Sequence, residues 1–363
     1  METQIVTGLK KFKLLFGILV FFYSIAVTLW LTTDSIFYLM NFIIIGSCVG
    51  LGVGLWPVFQ RKKKYIARLI SQVSVGGYMF FGLGCGLIYI LFGHMTPENM
   101  QIEGFLLWLF SGMFAAGVLH YMIAKIIGPF FFNRIWCGWT CWTASVLDLL
   151  PWKKSPGRRS KKLEYVRYIH FFSSLLLIAV IYFMFNHTLD DNAGSVRLNE
   201  KALLHFREYS KVAQIPEFWW FIIGNTFYYL TGIIMAALLK DNRAFCKYFC
   251  PIVVLFKIGA RFSILKVKEV NKGCNNCLAC EKNCPMDIKI IEYVKNNQRV
   301  NSTECIVCQT CISTCPKKVL GLSYSFDRSK GEFLNRIVKK EVLKIRLDPM
   351  NPVPEMKDIH KSA

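Results

Sequence analysis

Several signatures are missing from this chain of 363 residues. It has no Gly-x-Gly-x-x-Gly turn, no phosphate-binding loop and no Ser-His-Asp arrangement, so no substrate site for nucleotide chemistry or hydrolysis is visible. It has no Cys-x2-Cys-His run, which excludes c-type haem attachment. Acidic residues are scarce, 23 Asp and Glu against 44 Lys and Arg, giving a formal charge of +21. Such an excess invites a nucleic-acid partner, but its placement along the chain argues otherwise.

The residues present are mostly apolar, 54% hydrophobic and 15% aromatic, beyond an ordinary soluble domain of this length. Stretches close to the roughly 20 residues that cross a bilayer as a helix fall at Leu14–Thr32, Ile36–Trp56, Leu69–Phe92, Gly104–Ala124, Ile169–Phe185 and Phe218–Leu239. These predict six spans. The first follows Lys10, Lys11 and Lys13 but no small-residue cleavage site follows it, so a retained anchor is expected. Lys and Arg number three before the first span, five over 61–68, nine over 125–167 and 23 from Lys240 onward. Residues 33–35 and 93–103 hold none, and 187–217 holds four against five carboxylates. The positive-inside rule then predicts an inner-membrane, multi-pass protein with both termini cytoplasmic, and it accounts for the basic excess without nucleic acid. Gly46, Gly50 and Gly54, with Gly82 and Gly86, have the small-x3-small spacing of closely packed membrane helices. Cys48 and Cys85, in the same spans, are expected to be packing residues.

Eight of the 14 cysteines form two identical runs, Cys274-x2-Cys277-x2-Cys280-x3-Cys284-Pro285 and Cys305-x2-Cys308-x2-Cys311-x3-Cys315-Pro316. This is the spacing of a two-cluster bacterial ferredoxin, in which the fourth cysteine of each run serves the other cluster. Cys274, Cys277, Cys280 and Cys315 are therefore expected to hold one [4Fe-4S] cluster, and Cys305, Cys308, Cys311 and Cys284 the other. Disulfides or zinc sites also use Cys-x2-Cys pairs, but neither asks for the doubled run with its proline. A reducing cytoplasm suits free thiols. The expected organisation is a six-span helical membrane domain over 1–265, a small α+β ferredoxin domain over 266–325 and a basic tail over 326–363.

A second repeat aligns Asn133-Arg134-Ile135-Trp136-Cys137-Gly138-Trp139-Thr140-Cys141 with Asn242-Arg243-Ala244-Phe245-Cys246-Lys247-Tyr248-Phe249-Cys250. Each copy follows a span, so two related halves would bring four thiols together at the membrane surface. On a helix, Cys-x3-Cys puts both sulfurs on nearly one face, suited to a metal or to dithiol redox cycling. Arg134 and Arg243 would favour thiolates or hold lipid phosphate; the bland alternative is that the four cysteines only pack. Trp136, Trp139, Trp142 and Trp152 are by default interfacial anchors. His120 and His170 are candidates for a haem or a quinone headgroup, though interface hydrogen bonding is the commoner use. Arg336–Arg346 has the pattern of a basic amphipathic helix for anionic lipid or an acidic electron carrier.

A six-span core with two Cys-x3-Cys motifs, followed by a twin-cluster ferredoxin, resembles the NapH-type membrane-bound polyferredoxin family. That family's core carries two Cys-x3-Cys-Pro motifs, matched here at Cys246, Cys250 and Pro251; after Cys141 the chain has Trp142 instead of proline. The resemblance implies electron transfer linked to quinol, or delivery of electrons to respiratory and metal-assembly systems. Some family members add an extracytoplasmic domain, for which 187–217 is too short, so any such redox partner would be separate.

The expected function is an electron conduit between the cytoplasmic clusters and a thiol, quinone or partner site at the membrane, an electron-transfer component more than a stand-alone enzyme. Its partners would be a ferredoxin, a flavodoxin or the quinone pool. Copper reduction or metallo-enzyme assembly through Cys137, Cys141, Cys246 and Cys250 is the alternative, since soft thiolates suit Cu(I). A membrane redox sensor ranks last, with no signalling domain in the chain.

Overall fold

The computed structural model describes residues 11–60, 63–92, 101–110, 121–152, 159–184, 216–327 and 332–335. His120, all but the end of the 187–217 loop and the basic segment from Arg336 lie outside these residues. Among the described residues, five helices are long and apolar enough to cross a membrane: Lys13–Thr33, Ile36–Gly54, Lys64–Gly84, Leu163–Met184 and Phe218–Leu239. They overlap five of the six expected spans. Of the sixth, 104–124, both ends are helical and residues 111–120 lie outside the description.

The first helix, α1 (Lys13–Thr33), shows why composition decides its place. It buries Ala26 and leaves Phe16, Val20, Phe21 and Leu31 exposed. A helix apolar on every side is at home only in lipid or a large core. It ends at Asp34, whose left-handed backbone lets its N–H reach Trp30 O at 2.8 Å. The chain then re-enters α2 (Ile36–Val49), which continues as a π turn over Gly50–Gly54. The small-residue stripe seats α2 on α1: a Cβ at Gly46 would lie 2.5 Å from Phe22 Cβ, and one at Gly54 2.7 Å from Leu15 Cα. On the next helix, α3 (Lys64–Gly77), Ser71 fills the space that a side chain at Gly52 would need.

The elements that build the site come next. They are α4 (Ile102–Phe110), two short helices α5 (Ile135–Trp139) and α6 (Trp142–Leu147), the long α7 (Val166–Met184) and α8 (Pro216–Leu239), then α9 (Ala244–Tyr248) and α10 (Ile252–Arg261). The ferredoxin unit follows at once. Strands β1 (Leu265–Glu269) and β2 (Leu320–Tyr324) pair antiparallel with Val267 opposite Leu322, and both cysteine runs lie between them. Short helices α11 (Ala279–Lys282) and α12 (Thr310–Thr314) each carry the third cysteine of a run. The apolar core of this unit, with Ile288, Ile290, Tyr293, Val300 and Ile306, also contains Cys137 from the first Cys-x3-Cys motif. Membrane part and ferredoxin unit therefore share one core.

Candidate redox centres

The two ferredoxin runs repeat in conformation as well as spelling. Every cysteine of the second run lies 31 residues after its counterpart, and so do three left-handed residues: Asn276 and Val307, Leu278 and Gln309, Asp287 and Lys318. Non-glycine residues adopt positive φ only under constraint. Alternating right- and left-handed backbone makes concave nests of N–H groups, a recurrent device around phosphate and iron-sulfur groups. Two voids of ≈ 20 Å³ each lie inside these loops. One is lined by Cys274, Cys277, Cys280 and Cys315, the other by Cys284, Cys305, Cys308 and Cys311. These groupings are those that crossed ligation requires. None of the 14 cysteines is in a disulfide.

The two Cys-x3-Cys motifs converge on a third void of ≈ 60 Å³, lined by Cys137, Cys141, Cys246 and Cys250 together with Lys125, Trp136 and Tyr228. Neither pair shares a helix, contrary to expectation. Both α5 and α9 end between their cysteines, and the endings match: Thr140 and Cys141 N–H both donate to Trp136 O, and Phe249 and Cys250 N–H both donate to Phe245 O. Cys141 then caps α6 and Pro251 caps α10, so Trp142 opens its helix where the second copy has proline.

Burial pushes the Cys141 thiol up to about 12, with Cys137 and Cys246 adding to the push and Arg243 opposing it. It raises Cys137 and Cys250 too. Bare thiols so placed are poor nucleophiles at neutral pH, whereas a bound metal deprotonates its thiol ligands outright. Among the described residues no three His, Cys, Asp or Glu side chains close on one point to hold a single metal ion. A tetrahedral ion with 2.3 Å bonds would need sulfurs about 3.8 Å apart. A four-iron cube holds its thiolates further apart, around a body of its own, so four cysteines facing a common void fit a cluster better than one ion.

The arginines of the repeat are not at a lipid surface. Arg134 and Arg243 are 0% and 1% exposed, which removes the lipid-phosphate alternative. Arg243 binds Asp148 at 2.7 Å and also donates to Cys137 O at 2.9 Å, tying the second copy to the first. Its Nη1 lies 3.8 Å from Cys246 Sγ. Arg134 instead pairs with Glu304, the neighbour of Cys305, at 2.7 Å. Arg167 and Lys257 meet the same carboxylate at 2.9 Å each and Arg159 at 3.4 Å. Burial alone would raise Glu304, but Arg159, Arg167 and Arg134 hold it well below the usual carboxylate range.

The tryptophans are likewise structural contacts. Trp139 Nε1 donates to Val307 O at 2.9 Å, and Trp142 Nε1 to Asn225 Oδ1 at 2.9 Å. A Cβ on Gly138 would stand 2.3 Å from Ile306 O. The first Cys-x3-Cys segment thus lies directly on the loop between Cys305 and Cys308. Lys247, inside the second motif, reaches Asp241 at 2.6 Å and Asp287 of the ferredoxin unit at 2.5 Å. Gly138, Glu304 and Asp287 had no sequence signal, because their roles arise from contacts distant in the chain. Cys48 and Cys85 pack against an apolar cluster that includes Phe37 of α2, Val75 of α3, Trp142 of α6 and Phe221 of α8. His170 Nδ1 lies 3.0 Å from Phe249 O, and its Nε2 3.9 Å from Glu103.

Comparison with known proteins agrees with this arrangement. A 4Fe-4S dicluster domain model matches residues 266–316, and a 4Fe-4S binding domain model matches 114–163 and 226–268, the segments that carry the Cys-x3-Cys pairs. An uncharacterized protein of Methanocaldococcus jannaschii is 26% identical, the match covering 73% of this chain and 98% of that protein. The putative electron transport protein YccM of Escherichia coli is 24% identical over 55% of this chain and 54% of its own length. The ferredoxin-type protein NapH of Haemophilus influenzae is 25% identical over 54% and 64%. No solved structure matches. Ferredoxin-type relatives and both iron-sulfur domain models support an electron-transfer role, and the chain is similar to the NapH-type polyferredoxins.

Proposed function

We propose that the chain carries electrons between two ferredoxin-type [4Fe-4S] clusters and a third iron-sulfur centre held by Cys137, Cys141, Cys246 and Cys250, and from there to a quinone or a redox partner in the membrane. The observation that carries this is the contact of Gly138 and Trp139 with Ile306 and Val307, which sets the four-thiol void against the loop of one ferredoxin cluster. Cys274, Cys277, Cys280 and Cys315 would hold the outer cluster; Cys284, Cys305, Cys308 and Cys311 the inner one. Each cluster supplies a one-electron step. The chain's own residues exclude water, fix the spacing and offset charge, Lys125 at the four-thiol void and the Arg134 group beside the inner cluster.

The ferredoxin unit would face the cytoplasm in a multi-pass membrane protein, open to a ferredoxin or flavodoxin. Cluster potentials span about −700 to +450 mV. Low values favour electrons entering from the cytoplasm, and raised values favour a quinol donor.

Anaerobic purification in mild detergent, with iron and sulfide quantified beside a potentiometric EPR titration, tests the assignment. Cys246→Ser should remove about four irons per chain and one EPR centre, leaving the other two. Wild-type protein with two centres only, or copper bound by the four thiols, overturns it.

A further inference from the structure

A cavity of ≈ 520 Å³ lies between α4, α7 and α8, within the roughly 300–1,000 Å³ of ordinary ligand pockets. It adjoins the four-thiol void: Gln101 and Tyr228 line both. Its walls are apolar, with Leu107, Trp108, Leu177, Ile181, Trp220 and Ile223. One carboxyl group projects into this surface. Glu103 accepts a hydrogen bond from Ser174 Oγ at 2.8 Å and from Tyr228 OH at 3.1 and 3.2 Å. The third neighbour, His170, stands 3.9 Å away. A carboxyl among membrane helices is costly and by default functional. Glu103 thus meets two hydroxyl donors and an imidazole at the wall of the cavity.

His170 is oriented by the same arrangement. Phe249 O can only accept, so Nδ1 donates in their 3.0 Å contact, and Nε2 faces Glu103. Phe249 is the residue before Cys250. Glu103 and His170 thus stand together at one end of the cavity, and the four-thiol void lies behind Tyr228.

We propose that Glu103 exchanges a proton with the head of a lipid-soluble quinone seated in this cavity, and that His170 Nε2 exchanges the second. This rests on the four thiols holding an iron-sulfur centre. When a hydroquinone is oxidised there, two electrons leave singly to that centre. One hydroxyl O–H breaks as the proton passes to the Glu103 carboxylate, and the other as its proton passes to His170. When a quinone is reduced, the centre passes it two electrons one after the other, refilled between them from the ferredoxin clusters, and Glu103 and His170 return the two protons. Tyr228 and Ser174 are positioning residues, holding the carboxyl by their hydroxyl groups.

The test uses full-length protein in detergent, reduced with dithionite, desalted and mixed with menadione in a stopped-flow instrument. Reoxidation is followed optically, and menadione Kd is measured separately. Glu103→Gln keeps the shape of the side chain; it should leave Kd within threefold and slow reoxidation by about 100-fold, the low end of a general acid-base contribution. Glu103→Asp should recover part of the rate. Ile223→Trp, which fills the cavity and touches no proton acceptor, should abolish menadione binding with iron content unchanged. Equal rates in wild type and Glu103→Gln would make Glu103 a helix-packing residue and overturn the proposal, as would unchanged binding in Ile223→Trp. Absence of the third centre from wild-type protein would instead mark failure of the underlying assignment.

Discussion

Arg134, three residues before Cys137, and Glu304, one residue before Cys305, pair at 2.7 Å with neither side chain exposed. Around that single carboxylate stand two more arginines and Lys257. Glu304→Gln would keep the shape and remove the anion, leaving buried cations without their shared partner. Breaking a buried pair this way costs about 3–5 kcal/mol. The unfolding temperature in detergent should fall sharply, and the cluster lined by Cys305 should lose occupancy before its neighbour, as read by EPR.

Gly138→Ala adds one methyl group where there is none to spare. Its Cβ would meet Ile306 O at 2.3 Å, a backbone atom that cannot turn aside. Overpacking of this kind costs about 1–3 kcal/mol. The loop between Cys305 and Cys308 should shift, so thermal stability drops and electron exchange between the ferredoxin clusters and the four-thiol centre slows in stopped-flow reduction.

Cys284→Ser and Cys315→Ser distinguish crossed from uncrossed ligation. The void beside Cys305, Cys308 and Cys311 includes Cys284, and the one beside Cys274, Cys277 and Cys280 includes Cys315. Each serine should therefore perturb the cluster of the opposite run. Combining Cys284→Ser with a second change at Cys308 should disturb one EPR signal, whereas combining it with Cys277→Ser should disturb two.

Asp148 makes a pH prediction. Burial would raise its carboxyl, but Arg243 and Arg68 outweigh that and lower it below the ordinary value. A depressed carboxylate contributes stability that is fully present above its unfolded value of about 3.9 and lost as pH falls toward the native one. Asp148→Asn should lower the unfolding temperature at pH 7, and the gap to wild type should narrow below about pH 4. A gap that stays constant from pH 7 to pH 3 would remove Asp148 from the electrostatic account.

The parts that were legible in the sequence are those where covalent or solvent chemistry imposes a pattern. Iron-sulfur ligation dictates the spacing from Cys274 to Cys315, and lipid dictates apolar length, so both stood out. The Gly46, Gly50 and Gly54 stripe was legible for a similar reason, because only glycine lets α2 approach α1 so closely. Long-range pairing was not legible. Arg134 and Arg243 occupy equivalent places in the repeat, yet one binds Glu304 and the other Asp148. The spacing of Cys137 and Cys141 spells a shared helix face, but the helix stops at Trp139. Trp139 and Trp142 have the composition of a membrane-interface belt, and hydrogen bonds to Val307 and Asn225 draw them inside. Glu103 stood just ahead of an apolar stretch, where an acidic residue is unremarked until Tyr228 and Ser174 are seen to bind it.

The contacts of Glu304 and Asp287 bear on how separable this ferredoxin unit is. In a freely diffusing ferredoxin the polypeptide around the clusters must satisfy its own charges. Here Glu304 is answered by Arg134, Arg159, Arg167 and Lys257, and Asp287 by Lys247, all supplied from chain before β1. A fragment cut at Lys266 would turn those carboxylates out toward water and expose Ile306 and Val307, where Gly138 and Trp139 had lain. The unit is thus less a carrier tethered to a membrane anchor than a fixed terminal of one circuit, whose reach toward its partners is set by the whole molecule.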